Sequence, residues 1–120
     1  MKEESVASII KWSEETFGDN ITLEGQLQKF LDEIQEWYSS GQKDIEELAD
    51  LAIVASSVAR FSVIEAMRCF AFVSNRLGES SFTLTELKTA INKKQAKNRR
   101  RKWAIGKGNF QHISEGGDND

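Results

Sequence analysis

The sequence predicts an all-α fold, a single-domain bundle of about five helices. Three observations carry that expectation. Apolar residues recur at spacings of three and four over most of the chain, no region alternates apolar and polar over strand length, and Pro is absent, so the strongest helix breaker is missing. The chain has 120 residues, enough for one domain with a real core.

The first helix is expected from about Glu3 to Phe17, with Val6, Ile9, Ile10 and Phe17 as its apolar stripe, ended by the turn chemistry of Gly18-Asp19-Asn20. Thr22 can cap a second helix in which Leu23, Leu27, Phe30, Leu31, Ile34 and Trp37 face a core, closed by Ser39-Ser40-Gly41. A third runs from about Asp44 to Arg60. Its first turn is acidic, which suits a helix N-terminus, and from Leu48 onward it is apolar nearly all round, as in a helix buried on several sides. The fourth opens with a Ser62–Glu65 capping box, carries Ile64, Met67, Phe70, Phe72, Val73 and Leu77, and is expected to stop at Gly78. Its apolar surface is broader than one partner helix covers, which points to a subunit interface. Thr83-Leu84-Thr85-Glu86 is a second capping box, and the fifth helix is expected to reach about Lys102. Residues 1–113 read as one domain and 114–120 as a flexible acidic tail, with no repeats and no linker.

Hydrophobic residues make up 39% and charged residues 29%, an ordinary soluble balance. The N-terminus is acidic and polar, without the basic and apolar regions of a signal peptide, and no apolar stretch approaches the ~20 residues of a membrane span. The single Cys, Cys69, gives no disulfide framework and reads as a buried small hydrophobe. Together these lead to a cytoplasmic expectation. The net charge of −3 conceals an asymmetry: residues 1–50 carry 13 acids and 4 bases, whereas residues 88–107 carry 9 bases and no acids. One half can hold a cation and the other an anion.

Two acidic couplets concentrate the chemistry. Glu33 and Glu36 lie on the second helix, Glu47 and Asp50 on the third. Each pair has i, i+3 spacing and so shares a helix face. A short loop makes the two helices antiparallel neighbours, so the four carboxylates can converge as a cage of hard oxygen ligands. Such a cage suits Mg²⁺, with Mn²⁺ as the alternative, and an ion there can also bridge a substrate's phosphates. The plainer reading of each couplet is a solvated acidic face. Asp50 departs from it by lying in the apolar stretch, where a carboxylate is costly unless paired, hydrogen-bonded or metal-bound.

Lys94, Asn98, Arg101 and Trp103 form a second constellation on the fifth helix. Lys and Arg pair with phosphate oxygens, and Asn can bind a sugar or base edge. A basic end that favours the negative helix terminus is the plainer alternative, and nucleic-acid binding is a rival, since residues 93–102 include seven Lys or Arg. The acidic balance of the whole chain argues against the rival. Trp12 and Trp37 can each stack on a base or serve the core. His112 is the only histidine, which excludes a di-iron carboxylate bundle with its Glu-x-x-His pairs and histidine-rich metal phosphohydrolases. No P-loop or dinucleotide fingerprint is present.

These residues resemble the MazG-like all-α nucleoside triphosphate pyrophosphatases. The family's Glu-Glu-x-x-Glu followed by Glu-x-x-Asp is matched here by Asp32-Glu33-x-x-Glu36 and Glu47-x-x-Asp50, and its Lys-x-x-x-Asn-Arg element by Lys94 to Arg99. Lys11-Trp12-Ser13-Glu14-Glu15-Thr16-Phe17-Gly18 and the closing Arg101-Lys102-Trp103…Gln111-His112-Ile113 are similar to the phage and bacterial dATP/dGTP diphosphohydrolase branch. The likeness covers about residues 8 to 113. Asp32 stands where the family often has Glu, and the ten residues between the couplets imply a tight helix hairpin.

The resemblance implies Mg²⁺-dependent hydrolysis of a nucleoside triphosphate, of which a purine deoxynucleotide is the closest branch's choice, to the monophosphate and pyrophosphate. It implies metal ligation by Glu33, Glu36, Glu47 and Asp50, with Glu33 or Glu36 acting on the attacking water. Lys94, Asn98 and Arg101 would hold the substrate, with Trp12 beside them, and the protein would be a homodimer or homotetramer. A helical adaptor or nucleic-acid-binding protein without chemistry is the alternative from another class.

Overall fold

A computed structural model describes residues 2–103 in full and the backbone of 104–105 and 110–113. The chain folds as α1 (Val6–Phe17), a 3₁₀ turn (Gly18–Asn20), α2 (Leu23–Ser39), α3 (Ile45–Val58), α4 (Val63–Glu79) and α5 (Leu84–Arg100), followed by the short strands β1 (Lys102–Ile105) and β2 (Phe110–Ile113). The domain is all-α, as its sequence predicts. The two strands pair antiparallel, with Trp103 opposite His112. Four-residue strands are too short to leave an alternation that can be recognised in sequence.

Local chemistry sets most boundaries. Ser5 and Ser8 form a reciprocal capping box, so α1 starts at Val6, later than the expected Glu3. Thr22, Asp44, Ser62 and Thr83 each accept a backbone N–H at the start of the next helix. Gly78 does not stop α4. It sits in the last turn, and the helix ends at Glu79 with Ser80 as its C-cap. The fifth helix ends at Arg100, short of the expected Lys102, because Arg101 is already extended (φ −81°, ψ 156°) and leads into β1. Trp103 therefore stands on a strand, not on the helix.

Helix α3 is the axis of the bundle and packs against α1, α2, α4 and α5. Its Leu48, Ala49, Leu51, Ala55 and Val58 are fully buried, as a helix that is apolar all round requires. Trp37 is 1% exposed and belongs to the same core, which rules it out as a stacking platform. Cys69 is buried too, and desolvation pushes its thiol up to about 11, so at neutral pH it is an unreactive small hydrophobe.

A second cluster joins Ile9, Trp12, Phe17 and Ile21 to Ile53. The Arg60 guanidinium closes this end by donating to the backbone oxygen and Oγ of Ser13 and to the Gly18 carbonyl. Two residues counted in apolar stripes turn outward, Val6 at 42% exposed and Leu31 at 56%. Helix α4 buries Ala66, Cys69 and Val73 while Val63, Ile64 and Met67 face solvent. No described helix is long and apolar enough to cross a membrane.

Candidate functional site

The loop after Ser39 reverses the chain through left-handed backbone at Gly41 (φ 72°) and Gln42 (φ 58°), and α2 and α3 pack side by side. This hairpin brings the two acidic couplets together. Glu33, Glu47 and Asp50 each offer a carboxylate oxygen within 4.8 Å of the others. All three are partly buried, whereas Glu36, one turn beyond Glu33, is exposed and outside this triad. Glu36 still lines the same cavity, a space of about 260 Å³ walled by α1, α2, α3, α5 and β1.

Every residue singled out from the sequence as a ligand or substrate contact lines that cavity: Trp12, Glu33, Glu36, Glu47, Asp50, Lys94, Asn98 and Arg101. Sequence reasoning did not assign Phe17, Gln26, Lys29 or Ser57 to it, whereas Trp103 was grouped with Lys94, Asn98 and Arg101. Lys29 precedes Glu33 by one helical turn, a spacing that could have flagged it. Phe17 comes from the end of α1, and only tertiary packing brings it in.

The aromatic wall is compact. Trp12, Phe17 and Trp103 meet edge to face, with centroids 5.2 Å apart for Trp12–Phe17, 6.0 Å for Trp12–Trp103 and 5.4 Å for Phe17–Trp103. Lys29 Nζ stands 6.0 Å from the Trp103 ring centroid. Asn98 organises the end of α5. Its Nδ2 donates to Gln95 Oε1, its Oδ1 accepts from Arg101 Nη1 at 3.1 Å, and its backbone oxygen accepts from Trp103 Nε1 at 3.3 Å. At 7% exposure its side-chain amide is engaged by Gln95 and Arg101 while it still lines the cavity.

Lys94 is 6% exposed, with Nζ 3.6 Å from Asp50 Oδ2 and 3.8 Å from Glu46 Oε1. Even so, the acids outweigh the bases locally. Burial raises the Glu33 carboxyl above the usual glutamate range, with Lys29 opposing the shift and Glu36 adding to it. Glu47 is raised as well, first by burial and then by the charges of Glu33 and Asp44. A pocket that holds carboxylates against their solvation preference favours a ligand that supplies positive charge. The donor set is entirely carboxylate oxygen, which fits a hard divalent cation such as Mg²⁺ or Mn²⁺ and does not select soft metals.

Arg99, adjacent to Asn98, points elsewhere. It donates to both carboxylate oxygens of Glu4, at 2.8 and 2.9 Å, and so ties the N-terminal segment to α5. Its place beside the Lys94–Asn98 element is structural. His112 lies outside the residues whose side chains are described.

No protein-family model, curated protein or solved structure matches the chain.

Proposed function

We propose that the protein is a Mg²⁺-dependent nucleoside triphosphate pyrophosphohydrolase of the MazG-like all-α kind, converting a nucleoside triphosphate, with a purine deoxynucleotide as first choice, to the monophosphate and pyrophosphate. The observation that carries this reading is the meeting, in one cavity, of a carboxylate triad, the cations Lys94 and Arg101, and an aromatic wall. These are three chemistries that a metal-bound triphosphate with a base requires.

Glu33, Glu47 and Asp50 would hold the ion, with Glu36 at the rim. Mg²⁺ bound there supplies neutralisation of phosphate charge and polarisation of phosphorus. Arg101, held by Asn98, and Lys94 would bind phosphate oxygens. Glu33 or Glu36 would act on the attacking water, taking its proton as general base. The proton of the water passes to that carboxylate as the α–β phosphoanhydride bond breaks and pyrophosphate leaves. The Trp12 and Trp103 wall would take the base by stacking or edge contact.

A cavity of about 260 Å³ is small for a whole nucleotide. That is in keeping with a homodimer or homotetramer in which a second copy extends the wall, and the exposed Val63, Ile64 and Met67 of α4 supply an apolar face for assembly.

The test is to incubate the purified protein with each of the common nucleoside and deoxynucleoside triphosphates, with Mg²⁺ or with EDTA, and to quantify pyrophosphate and monophosphate. Pyrophosphate that appears only with Mg²⁺ supports the proposal, and the ranking of nucleotides gives the specificity. Orthophosphate as the product, or equal turnover in EDTA, would overturn it. The second reading, a nucleic-acid-binding helical protein, draws on exposed Lys93 and Arg100 on α5. A salt-dependent shift of labelled DNA without pyrophosphate release would favour that reading instead.

A further inference from the structure

Asp50 is claimed by two kinds of partner. One of its oxygens completes the triad with Glu33 and Glu47, and its Oδ2 lies 3.6 Å from the ammonium of Lys94. The lysine is 6% exposed and reaches the site from α5, whereas the acids come from α2 and α3. A lysine buried to this degree is held in its charged form by the carboxylates around it. A second anchor, Glu46, stands 3.8 Å from the same nitrogen, with its own side chain 39% exposed. Glu46 is one residue before Glu47 in the chain and does not line the cavity, so it keeps hold of the ammonium from outside the triad.

A divalent ion among the three carboxylates would sit within a few ångströms of this ammonium. Two cations at that range in a partly desolvated pocket repel strongly, and Asp50 cannot serve both at full strength. We infer that Lys94 is the site's built-in cation, which competes with the metal for Asp50 and so lowers metal affinity in the absence of nucleotide. The ion and the ammonium exchange places on Asp50, with Glu46 retaining the displaced lysine and the phosphates of an arriving nucleotide offering it a better partner. Metal and triphosphate then bind interdependently: each makes room for the other, and the triad holds no tight metal on its own. This inference rests on the metal-site reading above, and the two can fail separately.

The experiment measures metal binding without turnover. Mn²⁺ is titrated into full-length wild-type protein and into Lys94→Met and Lys94→Gln, with free ion followed by electron paramagnetic resonance and heat by calorimetry, no nucleotide being present. Removing one positive charge next to the ion should tighten Mn²⁺ binding by about tenfold in both variants. Equal or weaker binding in the variants, with clear binding in the wild type, overturns the role of Lys94 and leaves the metal site standing. No binding by any of the three overturns both.

A measurement on the wild type alone covers the case in which the variants do not fold. The ¹⁵N resonance of the Lys94 ammonium is followed as Mg²⁺ is added to saturation, with a shift expected as the group leaves Asp50. A resonance unmoved at saturation overturns the exchange.

Discussion

Helix α5 meets carboxylates on two of its faces, and the two meetings differ in kind. On one face the Arg99 guanidinium grips Glu4 with two hydrogen bonds of 2.8 and 2.9 Å, the geometry of a bidentate charge-assisted pair. That pair holds the Glu4 carboxyl below the usual glutamate range. On the other face a single ammonium, Lys94, stands 3.6 and 3.8 Å from Asp50 and Glu46, with Glu33 and Glu47 close by and raised above that range. The first arrangement is electrostatically satisfied and has no spare capacity for a ligand. The second is short of positive charge. Carboxylates gathered at a cost in free energy, in a cavity, are the strain that the proposed cation would relieve.

The sharpest way to break this contrast is to remove a carboxylate from the unsatisfied side. Asp50→Ala should reduce Mg²⁺-dependent pyrophosphate release by at least about a hundredfold while leaving the helical circular dichroism unchanged. Full activity in that variant would sink the ligand assignment. Glu36→Ala serves as the internal comparison. Its carboxylate is exposed and outside the triad, so the loss should be smaller, on the order of tenfold. Equal losses would return Glu36 to the ligand set.

On the satisfied side, the prediction concerns stability. Arg99→Met leaves Glu4 without its guanidinium, although its side chain is fully sheltered. A loss of about 1–3 kcal/mol in denaturant unfolding is expected, with metal affinity unaltered. A variant as stable as the wild type would show the clamp to be incidental.

How much of this contrast could be read in the sequence depends on the distance over which each part forms. The triad was legible because each couplet is local and the short α2–α3 loop leaves the two helices little choice but to be antiparallel neighbours. The caps at Thr22, Ser62 and Thr83 are local as well. The Lys94–Asp50 and Arg99–Glu4 pairs were not legible, since both depend on how α5 docks against α3 and α1, which no spacing rule encodes. From sequence, Lys94 is singled out with Asn98 and Arg101, but no spacing gives its carboxylate partners or the partner of Arg99. Packing alone sends Lys94 into the cavity and Arg99 to the N-terminal segment. Trp103 was recognised as a neighbour of Arg101 but placed on a helix, because the extended backbone at Arg101 has no Pro or Gly to announce it. Gly78 misled in the opposite sense: a glycine near a helix end suggested a stop, yet the helix continues through it.

If the acids of the cavity are held against their preference, neutralising one should stabilise the fold. Glu33→Gln and Glu47→Gln are each expected to raise stability by about 0.5–1 kcal/mol at neutral pH in EDTA while lowering turnover. A destabilised Glu33→Gln would mean that its carboxylate is already satisfied within the protein.

The smallest effect is also the one that separates the two faces most cleanly, because their pH windows lie on opposite sides of the ordinary glutamate value of 4.5. Glu33 and Glu47 bind a proton more tightly in the folded protein than in the unfolded chain. Their charged forms therefore destabilise the fold at neutral pH, and the penalty recedes as pH falls through the raised folded values towards 4.5. Glu4 is the reverse. Its contribution is complete above 4.5 and is lost only as pH falls below that, through its lowered folded value. The stability advantage of Glu33→Gln over wild type should thus shrink on acidification from neutrality while the deficit of Arg99→Met stays constant, and that deficit should shrink only at more acidic pH. Thermal melts of the three proteins in EDTA across this range decide the matter. If both differences fade together in one window, the two faces of α5 are electrostatically alike and the cavity has no special claim on a cation.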